Sequence, residues 1–196
     1  MRYPSPMRVI AGTFRSRALQ SPRGTATRPT SDRLRETLFN VIATRVGGSR
    51  FADLYAGSGA VGIEAISRGA TEVFFAENSE PALAAIRANL RTLGITRGFQ
   101  VESAGTATLL KRLRSHPLDV VFLDPPYEDA EAYRTTLMAL AEGEVLHADS
   151  LVIAEHAKRQ PLLEAYGGLL RTRTVLQGDA ALSFYKLQVG EPRLKD

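Results

Sequence analysis

The chain has 196 residues, 44% hydrophobic and 23% charged, enough to bury one core of ordinary domain size and too apolar for wholesale disorder. No apolar run approaches the roughly 20 residues of a membrane span, the first residues lack the apolar segment of a secretory signal, and the absence of cysteine excludes disulfides and thiolate metal sites, so a cytoplasmic setting is expected. The net charge of +4 conceals an asymmetry, because residues 1–50 hold ten arginines against Asp32 and Glu36, a net +8, which leaves −4 on the other 146 residues. A basic terminal segment on an acidic domain points to a polyanionic partner, a solvated basic surface being the plainer alternative.

Residues 7–20 set short apolar pairs on either side of Gly12, the pattern of a small hairpin with its arginines outward. Residues 1–28 are therefore read as a basic arm and 29–196 as the main domain. Pro22, Gly24 and Pro29 mark a loop. A helix follows, with Thr30 or Ser31 as its cap, Asp32 in its first turn, Leu34, Leu38, Val41 and Ile42 as its apolar stripe, and Gly47-Gly48 as its stop.

Strands and helices then alternate. Strands are predicted at 51–55, 72–77, 99–103, 118–123 and 151–155, and helices at 60–68, 80–93, 106–114, 130–141 and 158–166. That alternation makes a doubly wound, mostly parallel sheet. The end breaks the rhythm, because the runs 169–176 and 181–188 meet at Gln177-Gly178-Asp179-Ala180 with no helix between them, which predicts a hairpin. An antiparallel strand set into such a sheet is the arrangement of S-adenosylmethionine (SAM) methyltransferases rather than of nicotinamide dehydrogenases.

Two motifs carry the chemistry. Phe51-Ala52-Asp53-Leu54-Tyr55-Ala56-Gly57-Ser58-Gly59-Ala60-Val61-Gly62 reads as a strand, a glycine turn and a helix start. Gly57 and Gly59 let a ligand approach the backbone, Gly62 lets the helix pack close to its strand, and the turn is expected to expose free amides at a helix N-terminus. Asp53, just ahead of the turn, is expected to face a bound cation. Glu77 follows Gly57 by 20 positions, so this motif alone also fits a dinucleotide site.

The second motif, Asp124-Pro125-Pro126-Tyr127, directly follows the fourth strand, where ligands of a doubly wound sheet bind. It suits methylation of an amino group on a planar ring, whose delocalised lone pair makes the nitrogen a poor nucleophile. An Asp124 oxygen and the Pro125 carbonyl can accept the two amino hydrogens, Pro125 and Pro126 fix the backbone, and Tyr127 offers a flat face for stacking.

Together with Glu77 and the upstream block Arg28-Pro29-Thr30-Ser31-Asp32-Arg33-Leu34-Arg35-Glu36-Thr37-Leu38-Phe39-Asn40, these motifs resemble the bacterial 16S ribosomal RNA guanine-N2 methyltransferases of the guanine-966 (RsmD) type, over residues 7–188. The resemblance implies a Rossmann-like class I SAM-dependent methyltransferase with a seven-stranded sheet, acting on one guanine amine of the small ribosomal subunit as a monomer without a metal. It places Asp53, Tyr55, Ala56, Gly57, Ser58, Gly59 and Asp124 around SAM, Glu77 on its ribose, and Asn78 near adenine. Arg8, Arg15, Arg17, Arg28, Arg33 and Arg35 would contact RNA. Where many relatives have Asp or Asn contacting adenine N6, this chain has Ala104-Gly105, so backbone groups are expected to serve there.

Three other readings compete. The same chemistry on a DNA adenine or cytosine amine, or on a protein glutamine, more often carries Asn first in the second motif. A nicotinamide dehydrogenase leaves Asp124–Tyr127 idle, and a noncatalytic RNA-binding module explains only the arginines. His116, His147 and His156 are scattered and read as surface or capping residues, with Glu155-His156 at the pocket rim. Leu109, Leu110, Leu113, Phe74, Phe75 and Phe122 read as core.

Overall fold

Arg50–Leu54 (β1) is a run of alternating faces: Phe51 points to one apolar cluster, Ala52 and Leu54 to another. Glu72–Ala76 (β2) and Leu118–Leu123 (β4) alternate in the same way and flank β1 in parallel. The sheet thus buries both faces, as parallel sheets do. The computed structural model describes residues 7–22 and 32–188.

Phe99–Glu102 (β3) forms one edge, and Leu146–Ala157 (β5) pairs parallel with β4. Beyond β5 come Ala180–Leu187 (β8), Leu169–Gln177 (β7) and Ala165–Tyr166 (β6), each antiparallel to its neighbour, in the order β3-β2-β1-β4-β5-β8-β7-β6. The C-terminal hairpin is as predicted, but the sheet has eight strands rather than seven.

The extra strand replaces the helix predicted at 158–166. Pro161 has no N–H and biases its predecessor away from helix, and the backbone here is held by the sheet: Arg171 N–H donates to the Glu164 carbonyl at 2.8 Å, Arg171 Nη1 to Leu162 O at 2.9 Å, and Tyr185 OH to Leu163 O at 2.9 Å. Strand β5 is also longer than its predicted apolar centre, because pairing from Leu118↔Leu146 to Ala157↔Ala180 recruits the polar stretch 147–149.

Helices Asp32–Val41 (α1), Ala43–Val46 (α2), Ala60–Ser67 (α3) and Glu80–Thr92 (α4) cover one face, and Thr106–Arg112 (α5) and Ala130–Glu142 (α6) the other. The predicted stripe of α1 is buried at Leu34, Leu38 and Ile42, but the expected caps Thr30 and Ser31 lie outside the described residues. A Cβ on Gly62 would come within 2.3 Å of the Phe75 ring, so only glycine lets α3 sit this close to β2.

The predicted N-terminal hairpin is present as a turn with the Arg8↔Ala18 bridge, and Arg8, Arg15 and Arg17 are exposed. It lies across α3 between α1 and α4. Val9 and Leu19 enter the core, and buried polar side chains hold the backbone. Glu64 accepts from Ile10 N at 2.7 Å and Ala11 N at 3.0 Å, Ser67 Oγ from Phe14 N at 2.9 Å, and Asn89 Oδ1 from Gln20 N at 2.7 Å. Gly12, at φ 82°, sits so close to Ser67 that a Cβ would fall 1.8 Å from its carbonyl oxygen.

Candidate active site

Strand register assembles the site. Leu54 pairs with Ala76 on one side and Leu123 on the other, while Ala76 pairs with Glu102 and Leu123 with Ala154. In a parallel sheet, residues following paired positions emerge at the same edge, so 55–59, Glu77-Asn78, Ala104-Gly105 and Asp124–Tyr127 all leave the carboxyl edge together, while β5 runs on through Glu155 to Ala157. The Asp124 N–H donates to Leu54 O at 3.3 Å, which fixes the second motif against the first.

The glycine turn is more internally bonded than its sequence suggests. Ala56 N–H donates to Ala76 O at 3.0 Å, Gly59 N–H to Ala56 O at 2.7 Å, and Gly57 N–H to Glu77 Oε2 at 2.8 Å. The other Glu77 oxygen accepts from Asn78 and Ser79 N–H, both at 2.9 Å. Three amides expected to stand free are thus committed, and Glu77 is tied to the turn through Gly57. A Cβ at Gly57, φ 55°, would meet nothing within 4 Å, so that side is open.

Asp53 is buried, and its Oδ2 accepts from Gly62 N–H at 2.8 Å, tying the end of β1 to the first turn of α3. Burial pushes its carboxyl up to about 8, against the opposing pull of the Gly62 amide and with a further push from Glu77.

Two other predicted contacts turn their side chains away. Tyr55 takes the left-handed conformation, φ 62°, and its hydroxyl lies 2.8 Å from Thr136 Oγ1 on α6. Ser58 Oγ reaches Met7 Sδ at 3.6 Å, and its carbonyl accepts from Asn89 Nδ2 at 3.0 Å.

Beyond β3, Ala104 N–H is taken by Glu102 Oε1 at 2.9 Å, and Glu102 Oε2 is held by Arg112 Nη1 at 2.9 Å. The carboxylate of this segment thus stands at the end of the third strand, where no motif marks it. Gly105, φ 84°, opens α5 beside Asn78.

Around the second motif, Tyr127 OH donates to Glu155 Oε1 at 3.0 Å, and Tyr133 OH reaches Glu155 O at 2.8 Å and Pro125 O at 3.3 Å. Burial, followed by the charge of Asp124, drives the Tyr133 hydroxyl further from ionisation. Its single proton goes chiefly to the nearer Glu155 carbonyl, with the Pro125 carbonyl as a weaker second acceptor. A cavity of about 320 Å³, lined by Tyr127, Tyr133, His156 and Tyr166 among others, opens beside Tyr127.

His156, read as a surface or capping residue, is buried within β5. Its Nδ1 lies 3.0 Å from Ala157 O, which only accepts, so Nδ1 carries the proton and Nε2 accepts from Ser183 Oγ at 2.9 Å. Burial lowers its basicity. Glu155 likewise belongs to β5 and is buried beneath Tyr127 rather than at a rim.

Arg35, expected on RNA, is fully buried: Nη2 donates to Arg8 O and to Asp32 Oδ1, the latter at 2.8 Å, so its guanidinium seats the hairpin on α1. Arg33 is exposed, and Arg28 lies outside the described residues. No group of three or more His, Cys, Asp or Glu able to hold a metal occurs among the described residues, and none of their helices is long and apolar enough to cross a membrane.

The family described as Conserved hypothetical protein 95 matches residues 7–186. Ribosomal RNA small subunit methyltransferase D of Haemophilus influenzae is 36% identical over 80% of this chain and 82% of its own length. The chain belongs to that family. A candidate rRNA methyltransferase of Bacillus subtilis is 37% identical over 92% of this chain and 98% of its own. The structure of a candidate methyltransferase from Escherichia coli superposes with a TM-score of 0.78 at 30% identity, over 93% of this chain and 98% of that one. The Rossmann-like fold and membership of a methyltransferase family, both expected from the motifs, are thus in place.

Proposed function

We propose that this protein transfers a methyl group from SAM to the exocyclic N2 amine of a guanine in 16S ribosomal RNA, of the guanine-966 type. The observation that carries the reading is the pairing of Leu54 with Leu123, which sets Asp124–Tyr127 beside the open turn at Gly57.

The residues present fit SAM. The open side of Gly57 leaves room for the methionine part beside Asp53, Tyr55, Ala56, Ser58 and Gly59. Glu77, half-buried with its orientation fixed by three amides, would take the ribose hydroxyls, and Asn78, Ala104 and Gly105 would line the adenine. When bound, SAM supplies an electrophilic methyl group on a sulfonium.

Asp124 and the Pro125 carbonyl accept the two hydrogens of the guanine amine. This draws the nitrogen lone pair out of conjugation and offsets the positive charge that grows on nitrogen as its bond to the methyl carbon forms and the carbon–sulfur bond breaks, after which the methylated nitrogen loses one proton to solvent. Tyr127 holds the base by stacking after it has left its helix. The hairpin, with Arg8, Arg15 and Arg17 exposed, meets the phosphates.

The test is a strain lacking the gene. Its 16S rRNA should lose one N2-methylguanosine, restored by the wild-type protein and not by Asp124→Ala; an unchanged set of methylguanosines would contradict the proposal. Titration should give saturable binding of SAM and none of NAD.

A further inference from the structure

The hairpin does not stand alone as a basic surface. Arg17 Nη2 donates to the carbonyl of Thr92, the last residue of α4, at 3.4 Å, and Asn89 of the same helix holds Gln20 through both its amide and its carbonyl, at 2.7 and 3.0 Å. The hairpin therefore docks on the flank of α4 that carries Asn89. Elsewhere around the same helix stand Arg87 and Arg91, one turn apart and about 6 Å along the axis, with Arg97 in the loop beyond; all three are exposed, and none enters an ion pair among the described residues.

In the opposite helical layer α5 ends in the exposed Lys111, Arg112 and Arg114, but α6 carries the other sign. Glu128, Asp129, Glu131, Glu142 and Glu144 stand exposed on and around α6, where Arg134 is neutralised by Glu131 at 2.6 Å. A polyanion approaching this molecule meets attraction on the layer of the hairpin and α4 and repulsion at α6.

We infer that Arg87, Arg91 and Arg97 of α4 and its following loop form a second docking surface for the RNA phosphate backbone, on the same helical layer as the hairpin. RNA then lies along the α1–hairpin–α4 layer with α6 facing away from it. The inference rests on the RNA reading above and adds which side of the molecule the RNA covers. The arginine fork suits phosphate, and unpaired exposed arginines give up no ion pair of their own on binding.

Binding of an unmodified 16S rRNA transcript across a salt series tests this with three paired variants: Arg87→Gln with Arg91→Gln, Arg15→Gln with Arg17→Gln, and Lys111→Gln with Arg114→Gln. The last pair removes the same charge from the end of α5 on the other layer. Melting temperature and SAM titration confirm that each variant is folded. The α4 pair should flatten the slope of log affinity against log salt by about 0.7 to 0.9 per lost contact, as the hairpin pair does, while the α5 pair leaves it unchanged. If only the hairpin pair flattens the slope, the α4 surface is a solvated face and the inference fails while the RNA reading stands. If the α5 pair acts as strongly as the α4 pair, the effect is diffuse charge and the inference also fails. If none of the three changes the slope, the RNA reading falls with it.

Discussion

The hydroxyl of Tyr127 donates to Glu155 Oε1 at 3.0 Å, joining the motif that follows β4 to the neighbouring strand β5. The ring proposed to stack on the guanine is therefore held at its far end as well as at its backbone. Tyr127→Phe keeps the ring and should lower stability by about 1 kcal/mol, the usual net value of one such bond, with kcat changed a few-fold at most. Tyr127→Ala should lose about 1 to 3 kcal/mol of stacking, read as kcat/KM on RNA. Equal damage from Phe and Ala would mean that the hydroxyl, and not the ring face, carries the role.

Gly12 faces two constraints at once, a φ of 82° and the Ser67 carbonyl where a Cβ would go. Gly12→Ala should cost at least the roughly 1 to 2 kcal/mol of the left-handed conformation, and the hairpin should leave α3. Hydrogen exchange at the Ile10 and Ala11 amides, now bonded to Glu64, should speed up sharply, and RNA affinity should fall with SAM affinity nearly unchanged. Unaltered exchange would show that the hairpin is held elsewhere.

Asp53 gives a pH signature. Its carboxyl ionises near the ordinary 3.8 in the unfolded chain and at about 8 when folded, so between those values the native state holds a proton that the unfolded state has released. Its contribution to stability is largest at acid pH, declines as pH rises toward 8, and is level above. Asp53→Asn keeps an acceptor for Gly62 N–H and cannot titrate. Urea midpoints at pH 5, 7 and 9 should show the variant gaining on wild type up to about pH 8. A constant difference would mean that Asp53 is ionised in the fold.

Asp124 is proposed to act as an acceptor rather than as a general base. Asp124→Ala should lower kcat by about 10² to 10³, as for other preorganised partners of a reacting centre, with RNA affinity nearly unchanged. Asp124→Asn retains one oxygen and should fall between Ala and wild type. A general base would make Asn as poor as Ala, and single-turnover rates across pH 5 to 9 distinguish the two.

The alternation of strands and helices was legible because the central parallel strands are mostly apolar runs with turn residues at their ends, and Leu118–Leu123 is found with the predicted bounds. Gly62 was legible from spacing alone. What escaped was polar and non-local. Glu64, Ser67 and Asn89 look like the solvated side of a helix in sequence, yet they are buried because a hairpin more than 50 residues away covers them. Arg35 belongs to a basic run, and only the fold shows that it faces inward. Glu155 carries no motif, and its link to Tyr127 follows from the β4–β5 register, which composition does not encode. The region 158–166 has helical composition, but sheet hydrogen bonds override it.

The central claim is tested most directly by incubating the purified protein with methyl-labelled SAM and unmodified 16S rRNA under single-turnover conditions, then digesting the RNA to nucleosides for mass spectrometry. The account predicts label in N2-methylguanosine alone, approaching one per rRNA. Label in methyladenosine or methylcytidine, or none in RNA while SAM binds normally, would contradict it.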